Sequence, residues 1–148
     1  MSGLAALLAG HNPPDLYRWH NAAHVADVQH AVEHAGWRFV SFDGWTVEDR
    51  AGFLKGAASA LALPDEASES LDAFAAGLGE VPDGDCAGLV LLWDGWGPLA
   101  RADAACFEQA RGCLQARARD QARPPFAVLL RGEGPDLDVP ELPAPAHH

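Results

Sequence analysis

The sequence predicts an α/β protein: a small parallel sheet of three strands packed with helices, preceded by a helical N-terminal extension. Three observations carry this reading. Runs rich in aromatic, branched or other apolar residues at 37–42, 87–93 and 126–130 have the length and composition of strands. Between them lie segments whose apolar residues recur at helical spacing. Strands that alternate with helices form parallel sheets, because each crossover returns the chain to the same end of the sheet. The length of 148 residues suits one domain and a modest extra segment.

The opening residues, MSGLAALLAGHNPP, have no basic start and no clear cleavage site, so they read as an amphipathic lead-in and not as a signal peptide. Asn12-Pro13-Pro14 breaks the chain, and Leu16–Trp19 is either a short strand or an extended arm. From Asn21 to Ala35, residues Val25, Val28, Val32 and Ala35 share a helical face, and Gly36 supplies the stop. Trp37–Phe42 is the first strand, ended by the turn signal Asp43-Gly44. Thr46 is the expected N-cap of the next helix, with Asp49 three residues on. Its inner face is Phe53, Leu54, Ala57, Ala58 and Leu61, and Pro64 ends it.

A second helix is expected from about Ser68, with Leu71, Phe74, Ala75 and Leu78 inward, Gly77 weakening its last turn and Gly79 closing it. Ala87–Trp93 is almost continuously apolar, as a strand buried on both faces must be, and Asp94-Gly95 ends it. Asp103–Asp120 reads as a long helix with Cys106, Phe107, Ala110, Cys113 and Leu114 on its buried side. Arg111, Arg117, Arg119 and Arg123 lie in or beyond its C-terminal half, where cations complement the helix dipole. Pro124-Pro125 leads into the strand Phe126–Leu130. From Gly132 onward the chain is rich in Gly, Pro and acids, a composition that predicts a flexible tail without a core. The expected organisation is an extension over 1–36, an α/β domain over 37–131 and the tail over 132–148.

Twenty-one acidic side chains stand against ten basic ones, for a formal charge of -11. That balance argues against direct nucleic-acid binding, which needs Lys and Arg to displace phosphate counterions. It repels anionic lipid too, and no apolar run approaches the roughly 20 residues of a membrane span. It suits a basic partner, or serves solubility alone. Hydrophobic residues make up 49% of the chain, too many for an acidic disordered protein. Cys86, Cys106 and Cys113 are odd in number and form no CxxC pair, which argues against a disulfide framework, and Cys106 and Cys113, seven apart on one helical face, read as small buried hydrophobes in a reducing, cytoplasmic setting.

Two other patterns are weighed against simpler roles. Among five histidines between positions 11 and 34, His20 with His24 and His30 with His34 have the i, i+4 spacing of zinc ligands. His30 and His34 lie off the valine face and no cysteine completes a site, so a solvated surface is the simpler expectation. Asp43 and Asp94 each open an Asp-Gly-Trp triplet at a strand end, where active sites of parallel sheets gather. A small enzyme built on the two acids competes there with a plain strand-ending turn, and no phosphate loop, nucleophile elbow or nucleophile–base pair supports catalysis. No cofactor or metal is expected.

Ala60–Pro64, then Ser70–Phe74, then Leu78 follow a recognisable order: an apolar helix end, a proline, a short loop and a Leu-Asp-Ala motif. The strand ending in Asp43-Gly44, the strand ending at Trp93-Asp94 and the closing Pro-Phe-x-Val-Leu-Leu fit the same order, as do Tyr17-Arg18 and Gly36-Trp37 near the front. Over residues 16–131 the chain resembles the barstar family, intracellular inhibitors of barnase-type ribonucleases. The resemblance implies a barstar-like fold and a non-enzymatic inhibitor whose acidic helix and preceding loop block a basic ribonuclease or nuclease toxin, as an antitoxin or immunity protein does. Asp72 matches the Asp of the motif, and Ser68 and Ser70 stand at the family's Gly and Asn positions. Glu66 and Ala67 replace aromatic contacts, Ala75 replaces Trp or Leu, and Ala76 replaces an acid. Asp65, Glu66 and Glu69 offer replacement charge, and Glu108 matches a further acidic contact. The expected partner-binding residues are therefore Asp65, Glu66, Ser68, Glu69, Ser70, Asp72, Ala76 and Glu108. The alternative is a divergent interaction or scaffold protein on the same fold that has lost ribonuclease inhibition.

Overall fold

A computed structural model of the chain describes residues 3–10, 13–19, 24–79, 87–120, 123–135 and 137–142. The strands are β1 (Leu16–Trp19), β2 (Arg38–Asp43), β3 (Leu89–Asp94), β4 (Phe126–Arg131) and the two-residue β5 (Glu141–Leu142). The helices are α1 (Gly3–Leu8), α2 (Val25–His34), α3 (Arg50–Ala60), α4 (Leu71–Leu78), α5 (Gly97–Ala102) and α6 (Ala104–Ala118), with a 3-10 turn over Asp65–Ser68 before α4. Every strand pair is parallel, in the order β2-β3-β4-β1-β5.

Period-2 alternation splits the core into two layers. On one face Val40, Phe42, Leu89, Leu91, Trp93, Phe126, Val128 and Leu130 pack against α3, α4 and α6. On the other, Phe39, Val90, Leu92, Ala127 and Leu129 meet Leu4 and Leu7 of α1 and Val28 and Val32 of α2. Both faces of β3 and β4 are covered, which is why their sequences barely alternate in polarity. An aromatic chain knits the first layer. Phe42, Phe53, Trp93 and Phe107 meet in tilted or edge-on pairs at centroid distances of 5.1 to 5.8 Å. Phe74 joins it from α4, edge-on to Phe53 at 5.3 Å.

The expected three-stranded sheet is corrected. Leu16–Trp19 is a strand, paired with β4 from Leu16↔Val128 to Arg18↔Leu130, so the sheet has four principal strands and a two-residue edge. Four residues are too few to declare their partner in sequence; Tyr17 and Trp19, packed in the second layer, hold them there. Part of the segment expected as a coreless tail packs on the domain, while residues 136 and 143–148 lie outside the described ones. Leu137 and Val139 pack against the first layer, Trp96 Nε1 donates to the Gly132 carbonyl at 3.1 Å, and β5 pairs with β1.

Smaller differences have local causes. Thr46 does not cap α3, because it is used in the turn closed by Val47 N–H and the Gly44 carbonyl. Asp49 caps instead, its carboxylate accepting from Gly52 N at 2.7 Å. Cys106 is buried, whereas Cys113 is only half-buried on α6; Cys86 lies outside the described residues. The short α5 between β3 and α6 had no periodic signal to announce it.

Candidate functional site

The chain leaves α3 through Ala62, a non-glycine residue at φ +56°, and Pro64 then starts the 3-10 turn. Inside that turn Ala67 N donates to the Pro64 carbonyl at 2.9 Å and Ser68 Oγ to the Asp65 carbonyl at 2.8 Å. Ser70 follows in extended conformation and caps α4, its Oγ accepting from Ala73 N at 3.0 Å. Ala67 is buried and faces Gly77, where an added Cβ would stand 3.2 Å from the Ala67 Cβ and 3.4 Å from Leu63 Cδ1. Gly77 is thus the close-approach point that lets the turn and α4 pack as one unit. Phe74, Gly77 and Leu78 anchor that unit in the core.

The outer surface carries the predicted residues. Asp65, Glu66, Ser68, Glu69, Ser70, Asp72 and Ala76 are all exposed on this one unit. None of the four carboxylates there forms an ion pair among the described residues. One expectation differs. Ala75, expected inward, is exposed, because the eight-residue helix turns only 74, 77 and 78 fully into the core. Glu108 sits on α6 with its carboxylate held by Arg111, Nη2 at 2.6 Å and Nε at 2.9 Å.

Sequence reasoning missed a groove of about 640 Å³ between α4 and α6, lined among others by Arg50, Asp72, Ala75, Gln109 and Cys113. Arg50 Nη2 reaches Gln109 Oε1 at 3.4 Å across its α3 side. Burial pushes the Cys113 thiol up from its ordinary value, and the neighbouring Asp72 charge raises it further. Only the packing of α6 beside α4 forms this groove, so no local signal announces it.

The arginines of α6 prove to be fasteners. Buried Arg117 donates from Nε to the Leu78 carbonyl at 2.9 Å and from Nη2 to the Pro124 carbonyl at 3.1 Å, and its guanidinium stacks on Phe126 at 5.0 Å. Arg123 donates to the Gly79 carbonyl. Both therefore satisfy the carbonyl end of α4, in addition to ending α6. Arg119 grips Asp15 through two bonds, at 3.0 and 3.3 Å, tying α6 to the start of β1.

The other sequence candidates have structural employment. Asp43 and Asp94 are opposite each other in the β2–β3 register. Asp94 is bound by Arg131 through Nε at 3.1 Å and Nη2 at 3.0 Å, while Asp43 accepts from Trp45 N at 3.1 Å. His30 and His34 are exposed on α2 with ring centroids 6.1 Å apart; His20 lies outside the described residues. No cluster of three or more metal-binding side chains occurs among the described residues. No helix there is long and apolar enough to cross a membrane. The family model described as Barstar (barnase inhibitor) matches residues 37–131. A comparison with curated proteins returned no match.

Proposed function

We infer the function of this protein from one premise, that the chain belongs to the barstar family of barnase inhibitors. The protein binds a basic ribonuclease or nuclease-type toxin in the cytoplasm and blocks its active site, as an antitoxin or immunity protein. One observation supports the reading above others: Asp65, Glu66, Glu69 and Asp72 are exposed on a single packed unit, and none of them forms an ion pair among the described residues. A cleft that binds RNA phosphates with Arg, Lys and His accepts carboxylates by the same charge-assisted bonds. The surplus of negative charge also speeds encounter with a basic surface.

Asp72 is the central charge, placed in the first turn of α4, with Glu66, Glu69 and Asp65 around it and Ser68, Ser70 and Ala76 completing the contact surface. The covering of the second sheet face by α1 and α2 leaves this surface open. The test is inhibition of a barnase-type ribonuclease, and capture of basic nucleases from the native cell extract, by the parent and by Asp72→Ala. A buried interfacial charge contributes about 2 kcal/mol or more, so the substitution weakens inhibition about 30-fold. Equal inhibition by the variant, or no nuclease inhibited or captured by the parent, overturns the reading. The exposed Ala75 and Ala76, where the family carries larger anchors, favour a second reading, a scaffold protein on this fold without ribonuclease inhibition. It is chosen if the parent captures a non-nuclease protein through α4.

A further inference from the structure

We propose that Trp45 is a docking platform for a cationic side chain, arginine or lysine, presented by a protein partner at the C-terminal edge of the sheet. The two Asp-Gly-Trp triplets end neighbouring strands in register, Asp43 opposite Asp94, yet their tryptophans have opposite fates. Trp96 is buried and donates its indole N–H to the Gly132 carbonyl. Trp45 is 50% exposed and is the single exposed large hydrophobic side chain among the described residues.

The ring is not loose. A Cβ added to Gly95 would stand 2.6 Å from Trp45 Cδ2, and one added to Gly132 would stand 2.8 Å from Cη2. Gly95 and Gly132 have φ of +91° and +113°, so the ends of β3 and β4 turn away through conformations that favour glycine and leave bare backbone beneath the indole. Asp43 Oδ1 fixes the base of the side chain by accepting from Trp45 N. One face of the ring thus rests on two glycines while half of its surface stays open, and a ring already held in place loses little freedom on binding.

The surroundings select the ligand. Asp43 and Glu48 flank Trp45 in the chain, and Glu133 directly follows Gly132, whose backbone meets the ring; all three are exposed and form no ion pair among the described residues. Arg131, which directly precedes Gly132, is bound to Asp94. An indole face carries negative electrostatic potential and attracts guanidinium and ammonium groups more than other aromatic faces do. Exposed carboxylates on the segments that carry and contact the ring add attraction for the same charge and penalise a purely apolar ligand, whose docking would strip their water. A nucleobase would bring phosphates against a chain of charge -11. The platform stands apart from the α4 surface and does not rest on the function proposed for it.

The test uses the full chain labelled at its indole nitrogens and titrated with a blocked Gly-Arg-Gly-Arg-Gly peptide, its Gly-Leu-Gly-Leu-Gly counterpart and methyl glucoside. The arginine peptide is expected to move the Trp45 indole resonance saturably. Trp45→Leu is expected to weaken peptide binding about two- to fivefold, the range for an exposed cation–π contact. Asp43→Asn combined with Glu133→Gln is expected to weaken it as well, whereas Asp72→Asn leaves the Trp45 shift in place. An unchanged Trp96 indole resonance verifies that each variant is folded. The proposal is overturned if Trp45→Leu binds the arginine peptide as tightly as the parent, or if the leucine peptide or the sugar moves the Trp45 resonance equally.

Discussion

Replacing Arg117 by methionine removes the fastener between α6 and the far end of α4. The side chain makes two bonds to carbonyls, at Leu78 and Pro124, and covers the Phe126 ring. Hydrogen bonds from a charged donor contribute about 1.5 to 3 kcal/mol each, and a buried carbonyl left unpaired costs a similar amount. Against this, methionine keeps the apolar stem's packing and needs no desolvation of a guanidinium. The balance is a loss of about 3 kcal/mol, which for a chain of this size lowers the melting temperature by about 6–12 °C. Arg117→Lys keeps the charge but not the planar fork and is expected to fall between the two. Urea unfolding of the three proteins measures the effect, and amide exchange localises it: the last turn of α4 should lose protection before β3 does. A loss below about 1 kcal/mol for Arg117→Met, or unaltered exchange in α4, would refute the view that this arginine holds the end of α4.

Two further outcomes test the additions to the family core and the groove. A chain ending at Arg131 loses the Gly132 acceptor of Trp96, the packing of Leu137 and Val139 and the β1–β5 pairing. Its stability should fall by about 3 kcal/mol with a red shift of tryptophan emission, and an unchanged urea midpoint would show that the strap contributes nothing. In a Cys86→Ser background, Cys113 should be the thiol alkylated in the folded protein, with a midpoint above the usual thiol range because burial and then Asp72 raise it. Asp72→Asn removes a negative charge that opposes the thiolate, so the midpoint must move down; an upward or absent shift contradicts the placement of Asp72 beside Cys113.

The parts of the molecule legible in the sequence are those whose physics is local. The strands β3 and β4 announce themselves because burial on both faces demands an unbroken apolar run. The α4 helix is legible from the period of Leu71, Phe74 and Leu78, but its start, expected near Ser68, falls at Leu71, because Ser68 is taken into the 3-10 turn and Ser70 caps the helix. Thr46 misled because its capping chemistry is equally good, and only the turn after Asp43 removes it from contention. Ala75 misled because alanine fits the apolar period of a short helix without having to be buried.

From the sequence alone came the fold class, the helix and strand alternation, and the exposed acids around one helix start, all set by periodicity, capping and charge within about a dozen residues. Tertiary packing decided the rest. It brought Leu16 to Val128 and Arg18 to Glu141, placed α6 beside α4 to open a groove, turned Arg117 inward while Arg119 reached Asp15, and left one of two identical Asp-Gly-Trp tryptophans in water. Each joins residues distant in sequence, whose free energy of contact depends on which surfaces the finished sheet leaves uncovered.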